Sequence, residues 1–302
     1  MRALVKPPFE RMLASRWIGS VTKQRVRNKR LVLAYHGIIP DDAPLAGEQS
    51  LFIRRAEFAA QLDLIKSVAD VAPLHRLDEQ GDGRPRVAIS FDDAYYGAVS
   101  DGIDELVQRK LPVTVFVAPG RLGGSVFWWD ALADHTGYLD ERTRDYALET
   151  LNGAHEKVRS WAKANEMQWA EDLPPYAKTA TIDYLREAVK RPGVTVGSHS
   201  WSHRNLATLT AVDVLTELQR SRAMLRSHFG AKCIDWLAYP YGRESAASQQ
   251  IVAGASYAGA LRVDGGWYDA ATSSVFSRPR LNVPAGLSVA RLKAHLMGTL
   301  LS

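Results

Sequence analysis

The sequence has a single cysteine, Cys233, among 302 residues, so no intramolecular disulfide can form and the fold must rest on its core. Cys233 sits in an apolar run with Ile234, Trp236 and Leu237, which reads as a buried thiol. Long apolar runs are missing too. Nowhere do the roughly 18 residues needed to span a bilayer occur together, and no stretch near the N-terminus suits the core of a secretory leader. A cytoplasmic protein, with no transmembrane segment and no signal peptide, is expected. Acidic residues are nearly absent from one region: residues 1–30 hold nine of the 38 Lys and Arg residues but only Glu10 of the 33 Asp and Glu residues. The rest of the chain carries 29 basic and 32 acidic groups, so the basic character belongs to an arm. With Leu4, Val5, Phe9, Met12, Leu13, Trp17 and Ile18 interleaved, residues 1–30 suit peripheral contact with an anionic membrane. A solvated leader packed on the domain is an equal reading. No nucleic-acid motif accompanies the charge, and no nucleic-acid partner is expected.

What is present is ordinary for a globular enzyme: 46% hydrophobic and 24% charged residues, and length enough for a sizeable core. Short apolar runs at 31–35, 87–91, 113–117, 194–197, 234–239, 257–261 and 275–280 predict strands. Between them, 54–69, 99–110, 211–229 and 289–300 have helical spacing; Phe58, Leu62, Ile65 and Val68, for example, share one face. This alternation predicts an α/β fold, a sheet of about seven parallel strands with helices outside it, open or closed into a barrel. The segment from about 124 to 191 breaks the rhythm. It is mostly helical and holds Trp128, Trp129, Trp161, Trp169 and the Pro174-Pro175 pair. It reads as an insertion between the strands near 113–117 and 194–197, where substrate-binding loops grow. The expected organisation is a basic arm, 1–30, and a catalytic domain, 31–302.

Three clusters of chemistry-bearing residues each follow a predicted strand. Ser90-Phe91-Asp92-Asp93 places two adjacent carboxylates at a strand end, which is costly unless a cation binds there; a helix N-cap is the plain alternative. In His199-Ser200-Trp201-Ser202-His203 a helical turn would bring both imidazoles to one side, a geometry that suits zinc or a similar ion. In Tyr239-Pro240-Tyr241-Gly242 the Pro and Gly can free the Tyr241 N–H from any ladder, as an oxyanion requires; a simple turn is the alternative.

In this order and spacing, the three motifs resemble the polysaccharide deacetylase family, carbohydrate esterase family 4, over roughly residues 31–281. The resemblance implies a distorted (β/α) barrel with its site at the C-terminal strand ends. It also implies metal-dependent removal of an N-acetyl group from a sugar. By that resemblance Asp93, His199 and His203 would hold a divalent metal, with Zn²⁺ expected, and Asp92 would be the general base. The metal and the Tyr241 N–H would stabilise the oxyanion. The substrate would be an N-acetylated glycan or a lipid-linked sugar, as in exopolysaccharide biosynthesis.

Two departures matter. Members with an Arg-Pro-Pro-Tyr third motif orient the catalytic Asp with that Arg, but Ala238 stands in the slot here; Arg280, or else Arg262, is expected to replace it. Many members also end with a Leu-x-His motif whose His protonates the leaving amine. After His203 only His228 and His295 remain, both on predicted helices. His36, at the end of the first strand, would adjoin the last strand in a closed barrel and is the expected acid. Asp264-Gly265-Gly266-Trp267 loosely resembles the family's fourth motif, and Trp267 and Trp201 are candidates to stack on a sugar. Hydrolysis of another amide or ester is a competing reading, and so is a sugar-binding protein with a decayed site, docked to membrane by its arm.

Overall fold

The computed structural model describes Val26 and residues 29–300. Its strands are β1 (Lys29–Tyr35), β2 (Gly37–Ile39), β3 (Phe52–Arg54), β4 (Asp70–Val71), β5 (Arg86–Phe91), β6 (Val113–Val117), β7 (Val194–Ser198), β8 (Cys233–Ala238), β9 (Gly259–Leu261), β10 (Tyr268–Asp269) and β11 (Leu281–Asn282). The main sheet runs β10-β1-β5-β6-β7-β8-β9, with β11 also against β1 and β4 against β5. Every pairing in it is parallel except β1 with β10. The helices are α1 (Arg55–Val68), α2 (Ile103–Gln108), α3 (Trp128–Ala131), α4 (Glu141–Glu149), α5 (His155–Ala164), α6 (Ile182–Lys190), α7 (Ala211–Phe229), α8 (Ala246–Gly254) and α9 (Val289–Leu296). The fold is a distorted (β/α) barrel.

The period-2 alternation of the strands sorts the core into two layers. Leu31, Leu33 and Tyr35, with Val87, Ile89 and Phe91 and with Val113, Val115 and Val117, face outward and pack with Phe58, Leu62 and Ile65 of α1 and Ile103 and Leu106 of α2. Burying each such side chain contributes about 1.5–3 kcal/mol, so this layer dominates stability. Val32, Ala88, Phe116, Trp236, Ala238 and Leu261 form a second cluster inside the barrel. Gly197 is forced by that filling: a Cβ there would lie 2.6 Å from Cε1 of Phe116.

Six of the seven expected strands fall within a residue or two of their places. The seventh, 275–280, does not form a regular strand. Pro279 has no N–H to give a ladder, and Ser277 N closes a turn on the Ser274 carbonyl. Arg278 makes only a bridge to Leu261, and the parallel partner of β1 is the two-residue β11 that follows. Segment 275–282 therefore seams β9 to β1, and the first and last strands adjoin as expected. The short β2, β3, β4 and β10 carry too few residues for a readable pattern.

Between β6 and β7 the described residues are helical, with α3, α4, α5 and α6 and no strand. Residues 1–25, 27 and 28 of the arm lie outside the described residues, and its last two residues, Lys29 and Arg30, belong to β1. No helix among the described residues is long and apolar enough to cross a membrane.

Candidate active site and metal centre

The alternation that points Ala88 and Ser90 into the barrel also carries Asp92 there, one step beyond the end of β5. The Asp92 amide still pairs with the Tyr35 carbonyl at 2.9 Å. The chain then turns through two left-handed residues, Asp93 (φ 69°) and Ala94 (φ 53°). Among the described residues, five of the nine non-glycine residues with positive φ belong to the three motif loops: Asp93, Ala94, Ser200, His203 and Tyr241. Strained backbone held at one place is what a preorganised site requires.

Asp92 and Asp93 are both buried but differ in their partners. Nη1 and Nη2 of Arg280 donate to Oδ1 and Oδ2 of Asp92, each at 2.7 Å, and Arg280 is 0% exposed. The guanidinium rests on the Phe116 ring, 5.6 Å from its centroid. Arg262 instead pairs with Asp264 and Glu244 at the surface. Burial would raise the Asp92 pKa, but Arg280 and His199 outweigh it and hold the carboxyl well below the usual range. Asp93 has no Arg at contact distance, and burial pushes it up to about 6 despite opposition from His199 and His36.

His199 follows β7 directly, and the loop to His203 is not the expected helical turn. Ser200 (φ 61°) and His203 (φ 62°) are left-handed, which a helix does not allow. The loop is organised by Glu217 of α7, a buried carboxylate that accepts from Trp201 N (2.9 Å), Ser202 N (2.8 Å) and Ser202 Oγ (2.5 Å). Ser200 Oγ accepts from His203 N at 3.1 Å. The imidazoles converge all the same, their Nε2 atoms 3.1 Å apart. Oδ1 of Asp93 lies 3.1 Å from His203 Nε2 and 3.6 Å from His199 Nε2.

These residues fit a metal ion. Tetrahedral ligands at about 2.0–2.1 Å from zinc lie roughly 3.3 Å apart, and the three observed separations bracket that value. Nδ1 of His199 is 2.7 Å from the Ala238 carbonyl. Its N–H donates there, so Nε2 presents a lone pair to the centre. Burial holds His199 below its ordinary pKa and lowers His203 to about 3, which favours the neutral, ligating form of both rings. Oδ1 of Asp93 is buried with no hydrogen-bond partner among the described residues. A buried carboxylate oxygen facing two neutral ring nitrogens is a costly arrangement unless a cation is shared among them.

Tyr241 (φ 59°) stands across the centre, its ring edge-on to His203 with centroids 4.6 Å apart. Its hydroxyl accepts from Trp128 Nε1 (2.9 Å) and donates to the Gly153 carbonyl (3.2 Å). No ladder or turn engages its backbone N–H among the described residues. A cavity of about 230 Å³ opens over the centre, walled by His36, Asp92, Asp93, His199, His203 and Tyr241 together with Trp128, Trp129, Glu48, Ser50 and Asn282. Burial lowers the pKa of His36, while Asp92 and Asp93 oppose the shift.

The other candidates lie elsewhere. His228 meets Arg186 on the exposed face of α7. Trp267 Nε1 donates to the His295 carbonyl at 2.7 Å, tying both residues to α9. Trp201 is covered by Arg220, 4.2 Å from its ring centroid. Neither Trp267 nor Trp201 walls the cavity, and the aromatic wall comes from Trp128 and Trp129 of the insertion. Glu217 and Asn282 were not anticipated, since neither belongs to a motif.

Comparison with known proteins bears on the family and the fold. Residues 79–260 match a family profile described as Polysaccharide deacetylase. That span includes Asp92, Asp93, His199, His203 and Tyr241 and leaves out His36, Arg280 and Asn282. No curated protein matches the chain by sequence. The fold is similar to the Streptococcus pyogenes deacetylase PplD in complex with acetate, with TM-score 0.61, 17% identity and 89% and 98% of the two chains covered. It is similar to IcaB from Ammonifex degensii, with TM-score 0.60, 17% identity and coverage of 89% and 97%. A polysaccharide deacetylase from Bacillus cereus gives TM-score 0.62 at 17% identity, covering 89% and 69%.

Proposed function

The chain belongs to the polysaccharide deacetylase family, and from that premise we propose that it hydrolyses an N-acetyl group of a sugar in a glycan or glycan intermediate, releasing acetate. The observation that carries the reading is the convergence of Asp93 Oδ1, His199 Nε2 and His203 Nε2 beside an Asp92 clamped by Arg280. Asp93, His199 and His203 would hold a divalent ion, Zn²⁺ by its match to this donor set. When bound, that ion would polarise the acetyl carbonyl and the attacking water.

Asp92 accepts the proton of the water as it attacks. Held far below the usual carboxylate range, it is ionised at every pH near neutrality. Each of its oxygens keeps lone-pair capacity beyond the hydrogen bond from Arg280. Arg280 fixes the carboxylate plane, so the base needs no reorientation during the reaction. The Tyr241 N–H donates to the oxygen that gains charge in the tetrahedral state. His36 gives a proton to the nitrogen as the C–N bond breaks, and acetate and a free amine leave. Burial lowers the His36 pKa, so its protonated form is the minor one near neutrality and, once formed, gives its proton readily to the amine.

A decayed, sugar-binding site is the weaker reading, because Arg280 retains its two bonds to Asp92 and the three-donor centre is complete. Release of acetate from a panel of N-acetylated glycans, soluble and lipid-linked, tests the proposal; no release from any of them refutes it. The basic residues 1–30 extend it to a substrate at the inner face of an anionic membrane. Vesicle co-sedimentation that is the same with and without residues 1–28 would remove that extension.

A further inference from the structure

Asn282 carries a feature that the mechanism above does not use. Arg280 and Asn282 are two residues apart, and β11 pairs Asn282 with Ala34, which pairs in turn with Ser90 on β5. Residues level with one another on adjacent parallel strands face the same side of the sheet. Ser90 faces the barrel interior, where its Oγ lies 3.3 Å from Arg280 Nη1. The alternation that sends Arg280 to Asp92 therefore sends Asn282 to the same side, one step nearer the mouth. Its side chain lines the catalytic cavity with His36 and Asp92. Yet Oδ1 of Asn282 is buried with no hydrogen-bond partner among the described residues. An unsatisfied amide in a cavity wall costs folding free energy and calls for an occupant. Leu, Val or Ala would fill that position without the cost.

We propose that the Asn282 carboxamide is a specificity-determining contact that hydrogen-bonds a polar group of the acetylated sugar in the catalytic cavity. The inference rests on the deacetylase reading. The shared chemistry is one hydrogen bond between a carboxamide and a sugar, and two groups can supply the other half: the N–H of the acetamide itself or a ring hydroxyl. In the first case Asn282 separates N-acetyl from O-acetyl substrates, because an ester has no N–H to offer. An N–H donor lost from a site built to accept it is discriminated far more strongly than a change in apolar bulk.

The test uses the full-length, zinc-loaded protein and Asn282→Leu, which keeps the volume and removes both polar atoms; Asn282→Ala serves if that variant folds poorly. Three substrates are compared: an N-acetylated oligosaccharide, its O-acetyl counterpart and an activated aryl acetate that has no sugar. The expected result is a roughly 5- to 100-fold fall in kcat/KM on the N-acetylated sugar, with unchanged metal content and little change on the aryl acetate. A fall confined to the N-acetyl substrate assigns the acetamide N–H; a fall on both sugars assigns a hydroxyl. Equal losses on all three substrates, loss of metal, or no loss on either sugar would overturn the inference. Wild-type protein that is inactive on every acetylated sugar would overturn the deacetylase reading first, before any variant is measured.

Discussion

Replacing Arg280 by Met keeps the side chain's length and apolar stem but removes the charge that faces Asp92. The two bonds of 2.7 Å are lost, and Asp92 stays buried beside Asp93. Breaking a buried, hydrogen-bonded ion pair on one side costs about 3–5 kcal/mol. At about 1.36 kcal/mol per pKa unit, that corresponds to a rise of roughly 2–4 units at Asp92. In the wild type the Asp92 pKa is depressed below the unfolded value of about 3.9, so its contribution to stability is present above that pH and is lost only in strong acid. In Arg280→Met the rise carries the folded pKa back to about the unfolded one, so the stability that Asp92 contributes at neutral pH is lost. The variant then gains little or no stability from Asp92 as pH rises through about 4, where the wild type gains it. The gap in denaturation midpoint between the two proteins should be widest at neutral pH and narrow as pH falls through about 5 to 3, measured on chelated protein so that no bound ion contributes. For the metal-loaded enzyme, the acidic limb of kcat/KM should move to higher pH. A gap that does not change with pH, or an unmoved acidic limb, would refute the role given to this pair.

Asp92→Asn keeps the shape but cannot accept the water's proton; kcat should fall by roughly 10²–10⁴-fold with metal content unchanged. If it loses the metal while Asp93→Asn keeps it, the two roles are exchanged. His36→Ala should cripple hydrolysis of N-acetyl sugars and largely spare an activated aryl acetate, whose phenolate leaves without a proton; equal losses on both would make His36 structural. Glu217→Gln weakens the three bonds that shape the loop between the two histidines. Metal affinity, read by competition with a chromophoric chelator, should fall roughly 10- to 100-fold; unchanged affinity would show that the loop holds its form without the carboxylate.

Much of the fold could be read in the sequence, because period-2 and period-3.6 patterns are written in runs long enough to count. Helices α1 and α7 and strands β1, β5, β6, β7 and β8 are of this kind. Strands of two or three residues leave no such pattern, and 275–280 looked like a strand because apolar content does not reveal that Pro279 cannot pair. At the site, the residues within motifs were legible. The bond from Arg280 to Asp92 joins positions 188 residues apart; the sequence pointed to it through the vacancy at Ala238, with Arg280 expected ahead of Arg262 to fill it. His199 and His203 were expected to converge through a helical turn; they converge through a strained loop whose anchor, Glu217, lies on a separate helix. Trp128 and Trp129 lay in a segment recognised as an insertion, but spacing alone did not tell which of its tryptophans would turn inward. Asn282 carries no sequence signal, and its place becomes visible only when β11 is set against β1.

The central claim is that Asp93, His199 and His203 hold the metal on which deacetylation depends. It is tested most directly by measuring bound metal and acetate release together for wild type, chelated wild type and His199→Ala. The account predicts that chelation abolishes both and that added zinc restores both, while His199→Ala purifies folded, metal-poor and inactive. Full acetate release by the chelated enzyme or by His199→Ala would contradict it.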